Sequence, residues 1–124
     1  MSINTQSLFD QKASAFGQPR NSVRFTSDFI NAVNRALSDL HLLALIDTTA
    51  IDDVEENIDL DAKYEATLSV GVDYHLLMIG QQSAMDKKDT FQMFRDMART
   101  AQMTQFEDAA TAETLEVKLG DLSD

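Results

Sequence analysis

The first 25 residues carry a weak amphipathic pattern that predicts a short N-terminal helix. The apolar positions that share one side of this helix are Ile3, Leu8, Phe9, Ala13 and Phe16. Gly17 suits the helix end, and Pro19, the single proline, breaks the chain after it. Because so short a helix is marginally stable by itself, we interpret this arm, residues 1–25, as a lead-in that docks on something else.

A stronger helical pattern follows over residues 28–44. Apolar residues recur at three- and four-residue steps, at Phe29, Ile30, Val33, Leu37, Leu40 and then Leu43 or Ala44. Thr26, Ser27 and Asp28 are each suitable N-caps, because their side-chain oxygens accept hydrogen bonds from free backbone N–H groups. The pattern predicts an amphipathic helix of about 28–44.

The segment from 46 to 60 changes character, with six acidic residues and no basic one. Residues 45–51 and 57–60 fit a short β-hairpin in which 52–56 form the turn. An irregular acidic connection fits the same residues nearly as well.

A second strong helix is predicted from Asp59 or Asp61, both good N-caps, to Gly80. Its apolar face holds Tyr64, Leu68, Gly71 or Val72, His75, Leu76 and Ile79. Glycine in a helix interior costs about 1 kcal/mol relative to alanine. Gly71 therefore indicates that another backbone comes close to this helix.

A third helix is predicted to begin at Asp86 or Asp89. Its expected buried stripe consists of Phe91, Phe94, Met97, Ala98, Ala101 and Phe106. The basic residues of this region fall on its other faces: Lys87, Lys88, Arg95 and Arg99.

The last 18 residues, 107–124, carry six acidic residues and one lysine. Leu115, Val117 and Leu119 alternate with charged residues, which is the period of a strand and predicts an extended tail. The predicted fold is mainly α: a bundle of three to four helices with a short β-hairpin or acidic loop insertion and an extended C-terminal tail. The helical domain spans 1–106, and the acidic tail spans 107–124.

The chain of 124 residues has 21 acidic and 10 basic side chains, a net charge of −11. This charge argues against unaided binding to nucleic-acid phosphates or to an anionic membrane. The absence of cysteine excludes disulfides, thiolate zinc sites and cysteine nucleophiles. The opening residues are polar and the longest near-apolar stretch, 68–80, is too short for a bilayer. We therefore expect one acidic domain with no signal peptide and no membrane association.

Motifs that carry chemistry are absent from the sequence. The acidic segment does not fit a calcium-binding loop, and His41 and His75 lack metal-ligand spacing. No nucleophile elbow, dinucleotide fingerprint or phosphate loop is present. We therefore predict no catalytic residue, no metal and no cofactor, and we interpret His75 as a hydrogen-bonded helix-face residue.

Four arginines, Arg20, Arg24, Arg95 and Arg99, have two interpretations. They balance the surrounding acidic charge, or they contact acidic loops of a neighbouring copy. Arginine is favoured at interfaces because its planar guanidinium pairs with carboxylates. The second interpretation predicts a subunit interface at these positions.

The start of the first strong helix contains Arg24-Phe25-Thr26, Phe29, Ala32-Val33-Asn34 and Ala36-Leu37-Ser38-Asp39-Leu40. In these residues the chain resembles the opening helix of tailed-bacteriophage head-to-tail connector (adaptor) proteins. The connection after it, the helix with Tyr64-Glu65, Leu68 and Gly71, and the helix with Phe91 and Phe94 keep the family's order over about 23–106.

This resemblance implies a structural component of the virion rather than an enzyme. The subunit would form a homo-oligomeric ring below the portal protein, contact other neck or tail proteins and let DNA pass without specific binding. The portal-docking residues would lie in the tail, at Leu115, Val117, Leu119 and Leu122. The candidate channel-facing acids are Asp52, Asp53, Glu55 and Glu56.

Two other classes of function stay open on the residues alone. An acidic inhibitor that mimics DNA would need carboxylates along one extended face, whereas here 13 of the 21 acids lie in 47–61 and 107–124. A small enzyme or ligand-binding domain would need a pocket, for which the region of Tyr64, His75 and Met97 is the candidate.

Overall fold

The computed structural model describes the backbone of residues 2–81 and 86–123, and their side chains except at 105 and 107–123. Four helices follow one another: α1 (Thr5–Ala15), α2 (Val23–Ala44), α3 (Glu65–Ile79) and α4 (Lys87–Ser123). A 3₁₀ turn, Ala62–Tyr64, leads into α3. The fold is a mainly α bundle, as the sequence predicts.

The N-terminal arm forms α1 and docks on the bundle. Asn4 Oδ1 caps it by accepting a hydrogen bond from the Ser7 backbone N–H at 2.9 Å, and Gly17 ends it at φ +64°. The Phe9 ring packs on α2, with its centroid 5.7 Å from that of Phe25 and 5.2 Å from that of Phe29. These contacts supply the stability that so short a helix lacks alone.

Helix α2 begins at Val23, five residues earlier than the pattern predicts. Ser22 is the N-cap instead of Thr26, Ser27 or Asp28, and its Oγ accepts a hydrogen bond from the Phe25 backbone N–H at 3.2 Å. The earlier start places Phe25, which is 1% exposed, on the buried face of the helix.

Helices α2 and α3 run antiparallel. The partners in α2 come earlier in the sequence as α3 advances. His75 pairs with Asp39 in the second half of α2, whereas Gln81, just beyond the end of α3, donates to Asp28 near the start of α2 at 2.7 Å. Asp61 caps the 3₁₀ turn before α3 by accepting from the Lys63 backbone N–H at 3.0 Å. Asp61, one of the two predicted caps, therefore caps the 3₁₀ turn, whereas α3 itself follows Tyr64 without a side-chain cap.

Helices α3 and α4 are also antiparallel, so α4 runs parallel to α2. Tyr74 in the second half of α3 stacks on Phe91 in the first turns of α4, with ring centroids 4.9 Å apart. Tyr64, just before α3, and Ala101, further along α4, line one cleft. The three long helices thus form the bundle around the core.

Gly71 marks the closest approach in this bundle. A Cβ at this position would lie 2.6 Å from Phe94 Cε1, 2.9 Å from Phe94 Cζ and 3.1 Å from Ala36 Cβ. The close neighbour is an aromatic ring and not the backbone that the sequence indicates. Ala36 and Phe94 therefore lie at the same height along the bundle.

The segment between α2 and α3 is the irregular acidic connection and not the hairpin. Ile58 forms an antiparallel bridge with Ile3 of the N-terminal arm. The Ile51 backbone is bonded to the Asn34 side chain, which accepts from its N–H at 2.8 Å and donates to its carbonyl at 2.9 Å. Both halves of the expected hairpin thus bond to other parts of the chain, and the apolar residues of the segment, Ile46, Ile51, Ile58 and Leu60, are buried.

Asp86 is the residue that starts α4. Its Oδ1 accepts from the Lys88 N–H at 2.7 Å and the Asp89 N–H at 3.3 Å. Of the expected stripe, Phe94, Ala98 and Ala101 are buried, whereas Phe91 is 39% and Phe106 is 51% exposed. The buried stripe is therefore shorter than the sequence predicts. The start of α3 lies beside Ala101, so α3 does not extend far enough to cover Phe106.

The backbone of the predicted extended tail is helical, since α4 continues to Ser123. Residues 107–123 are rich in Ala, Glu and Leu, which have high helix propensity. Extending an existing helix also avoids the cost of nucleating a new one. The side chains of the predicted docking residues, Leu115, Val117, Leu119 and Leu122, lie outside the described ones.

Candidate interaction surfaces

The ionisable groups in the described residues do not assemble a metal site. No group of three or more His, Asp or Glu side chains in 2–81, 86–104 and 106 is placed to hold a metal ion. His75 Nε2 lies 2.5 Å from Asp39 Oδ2 across the α2–α3 interface, which confirms the interpretation of His75 as a hydrogen-bonded helix-face residue. None of the helices in the same residues combines the length and apolar character that crossing a membrane needs.

A buried ion pair joins α1 to α3. Lys12 Nζ lies 2.8 Å from Asp73 Oδ1 and donates to Ser69 Oγ at 2.7 Å. Burial raises the pKa of the Asp73 carboxyl above its ordinary value of 3.8, and the neighbouring ammonium of Lys12 opposes this rise. The pair links α1 directly to α3, so its geometry points to a role in holding α1 in place.

An exposed acidic turn contains Asp52, Asp53, Glu55 and Glu56. Asp53 Oδ1 accepts hydrogen bonds from the backbone N–H groups of Glu55 at 2.9 Å and Glu56 at 3.0 Å, which orders the turn. Thr5 Oγ1 donates to the Glu56 carbonyl and ties the turn to α1. The structure thus brings the four candidate channel-facing acids together on one ordered turn.

A groove of about 420 Å³ lies between α2 and this turn. Val23 and Ile30 give it an apolar floor, and Val23 is 84% exposed. Asp52 of the acidic turn and Arg20 also line the groove, and Arg20 Nε lies 3.6 Å from Asp10 Oδ1. We call this site the acidic groove.

The opposite charge is concentrated along α4. Lys88, Phe91, Arg95 and Arg99 follow at steps of three and four residues, which places them on one helix face, and all four are exposed. The Arg95 guanidinium lies over the Phe91 ring at 5.6 Å from its centroid. We call these four residues the basic stripe.

Large apolar side chains are exposed where α2 ends. Leu42 is 71%, Leu43 47% and Leu45 51% exposed, and Met103 and Phe106 of α4 are 56% and 51% exposed. Since Ala36 is level with Phe94 and both helices rise by about 1.5 Å per residue, residues 42–45 are level with 100–103. These five residues therefore mark the same end of the bundle, which we call the apolar end.

Leu45 has an unusual backbone for its residue type. Its φ of 58° and ψ of 33° lie in the left-handed region, where a residue other than glycine pays about 1–2 kcal/mol. Glycine is the usual residue at this position after a helix. The structure therefore keeps a half-exposed leucine at a position where glycine would relieve strain.

A further cleft of about 410 Å³ lies between the start of α3 and α4. Tyr64 and Met97 line it, as the ligand-binding alternative requires, together with the hydroxyl groups of Thr67, Thr100 and Thr104. His75 is paired with Asp39 elsewhere in the bundle. The cleft therefore contains Tyr64 and Met97 but not His75, the third residue that the ligand-binding alternative expects there.

The four arginines of the predicted interface do not converge in one copy. Arg95 and Arg99 belong to the basic stripe, Arg20 borders the acidic groove, and Arg24 lines a separate cleft of about 310 Å³ near Gly80. The acidic groove and the apolar end were missed at the level of sequence. An available signal was that Val23, Leu42 and Leu45 lie outside the apolar stripe of their helix.

Comparison of the chain with protein-family models, with curated proteins and with solved structures gives no match.

Proposed function

We propose that the protein is a structural subunit of the virion of a tailed bacteriophage. In this role it is a head-to-tail connector that forms a ring below the portal and continues the DNA channel. The resemblance over about 23–106 motivates the proposal, and the helical bundle with its order of helices is consistent with it. The observation that carries the proposal is the apolar end.

The apolar end is a surface whose burial would stabilise a complex. Complete burial of one leucine or phenylalanine side chain contributes roughly 1.5–3 kcal/mol relative to exposure. Single exposed apolar residues are ordinary on protein surfaces, whereas a concentration of them indicates a protein interface, and five lie towards this end of a small bundle. We assign this end to docking on the portal.

Helix α4 leads from the apolar end into the predicted docking tail. It has 37 residues, whereas its neighbour α3 has 15, so straight helices would be about 55 Å and 23 Å long. The tail, with Leu115, Val117, Leu119 and Leu122, thus starts beside Met103 and Phe106. We propose that the apolar end and residues 107–124 bind the portal as one continuous surface.

The net charge of −11 suits a wall around passing DNA. Attractive contacts with phosphates would hold the genome, whereas like charge lets it slide. The function therefore needs no specific DNA contact, no catalytic residue and no membrane.

Electron microscopy and binding measurements with the portal protein of the same phage test this function. The full chain should form closed rings, and the rings should bind the portal. A Leu42→Ser/Met103→Ser variant should lose portal binding, because it makes the apolar end polar. Met78→Ser/Met93→Ser, which changes two methionines that are each 54% exposed elsewhere, is the matched control and should bind normally.

Deletion of 107–124 tests the tail. The described buried core ends at Ala101, so we expect the shortened chain to keep its helical circular dichroism and to lose portal binding. Full portal binding by both the shortened chain and the Leu42→Ser/Met103→Ser variant would contradict the proposed function.

A further inference from the structure

We propose that the basic stripe of one copy docks in the acidic groove of the next copy. This inference rests on the proposed function, because it names the two surfaces through which copies of the chain would join. The groove offers an apolar floor beside carboxylates, and the stripe offers an aromatic ring beside cationic groups. The two surfaces are thus complementary in both apolar character and charge.

The acidic groove is prepared for such a partner. Val23 is the most exposed large apolar residue described, and Ile30, seven residues later, lies on the same face of α2. Asp52 of the acidic turn lines the groove, and the three further exposed carboxylates of the turn follow Asp52 within four residues of the chain. The hydrogen bonds of Asp53 and Thr5 order this turn before any partner binds, which lowers the entropy cost of association.

The basic stripe is also ordered in advance. Phe91 is held between Tyr74, at 4.9 Å between ring centroids, and the guanidinium of Arg95, at 5.6 Å. Aromatic residues and arginine are enriched among the residues that dominate binding at interfaces. Phe91 therefore supplies the apolar contact, and Arg95 and Arg99 supply the charges that face the carboxylates.

The partner of the basic stripe is a second copy rather than an anionic polymer. The acidic turn of a second copy offers a compact group of four exposed carboxylates within residues 52–56. Matching charges of this kind chiefly set the partner and the orientation of an interface.

The placement of the two surfaces suits a ring. The groove is lined by Arg20, by residues of α2 and by Asp52, whereas the basic stripe lies on α4, so the two surfaces share no residue. One copy can therefore use both surfaces at once, and such head-to-tail contacts close into a ring when the rotation between copies permits.

The proposal moves the acidic turn from the channel wall to the interface between subunits. The two roles have different consequences. Reversal of the charges of the turn prevents assembly if it is an interface, and leaves assembly intact if it faces the channel.

Charge reversal in the full chain tests the inference by sedimentation velocity and electron microscopy. Arg95→Glu/Arg99→Glu reverses the stripe, and Asp52→Lys/Glu55→Lys reverses the groove while sparing Asp53, which orders the turn. Each variant alone should associate on the order of 100-fold more weakly than the original chain, because like charges then face each other. An equimolar mixture should recover assembly, since every contact between alternating copies joins opposite charges.

The control is Arg35→Glu/Lys63→Glu, which changes the net charge by the same amount as Arg95→Glu/Arg99→Glu at two exposed positions outside both surfaces. It should assemble normally, and all variants should keep the helical circular dichroism spectrum. Loss of assembly in this control, or no recovery in the mixture, would overturn the inference. If both reversed variants form rings as well as the original chain does, the inference is overturned but the proposed function is not. If the original chain stays monomeric at every concentration, the proposed function is contradicted as well.

Discussion

Replacement of Gly71 by alanine tests the packing at the centre of the bundle. Alanine is favoured over glycine in a helix interior by about 1 kcal/mol. The new Cβ, however, would lie 2.6 Å from Phe94 Cε1, whereas carbon atoms in contact are about 3.5–4.0 Å apart. The Phe94 ring, which is 1% exposed, would have to move by roughly 1 Å within a packed core.

Overpacking of this kind costs about 1–3 kcal/mol. Because two atoms of a buried ring and Ala36 Cβ crowd the new methyl group, we take a value near 3 kcal/mol. After subtraction of the helix propensity, Gly71→Ala should lower the free energy of unfolding by about 2 kcal/mol. Urea denaturation followed by circular dichroism measures this change.

A double-mutant cycle isolates the cause. Phe94→Leu removes the ring atoms that the new Cβ would meet, so in this background Gly71→Ala should be neutral or stabilising by up to about 1 kcal/mol. The matched control is the pair Arg35→Gly and Arg35→Ala, at an exposed interior position of α2; the glycine variant should be less stable than the alanine variant by about 1 kcal/mol. If Gly71→Ala stabilises the original chain as it would an exposed helix, the reasoning about close packing is refuted.

Three further changes test other parts of the structure. Lys12→Met should lower the free energy of unfolding by about 3–5 kcal/mol, because it leaves the buried Asp73 carboxylate without its cation; a loss below about 1 kcal/mol in urea denaturation would show that the pair contributes no more than a surface ion pair. Burial raises the pKa of Asp73, so this carboxyl's contribution to stability is complete below about pH 3.8 and is lost as the pH rises through the folded pKa. The original chain should therefore lose stability relative to Asp73→Asn across that window, and an offset that does not change with pH would count against the assignment. Leu45→Gly should raise the free energy of unfolding by about 1 kcal/mol, because glycine adopts the left-handed backbone without strain. The same change should weaken portal binding, because it removes part of the apolar end. Thermal unfolding and portal binding of one sample measure both effects, and unchanged binding would show that Leu45 is not part of the docking surface.

Local sequence signals predicted the helices because those signals act between residues close in the chain. The recurrence of apolar residues identified α2, α3 and the first half of α4, and Asp61, Asp86 and Gly17 were recognised as caps and ends. The predicted start of α2 was wrong because Ser22 caps the helix, although three equally suitable cap residues follow it in the sequence. The chemistry of a cap residue does not by itself select one of these candidate caps. The burial of Phe25 on the inner face of the helix requires the earlier start.

The candidate surfaces were harder to predict because exposure depends on distant parts of the chain. The sequence named the four acids of the turn and the arginines of the stripe, but not their arrangement. Val23 is exposed because the acidic connection bonds to α2 at Asn34 and leaves the first turns uncovered. No local pattern around Val23 contains that information.

The amino-acid sequence by itself determined the helical class, the strong acidity and the identity of the main helices, since these follow from composition and short-range periodicity. The tertiary structure decided that Ile58 pairs with Ile3 and not with the other half of a hairpin, that Gly71 receives the ring of Phe94, and that Leu42 and Met103 mark one end of the bundle. The physical reason is that the core is a close-packed set of contacts between segments far apart in the chain, so burial at one residue depends on which distant side chain fills the space beside it.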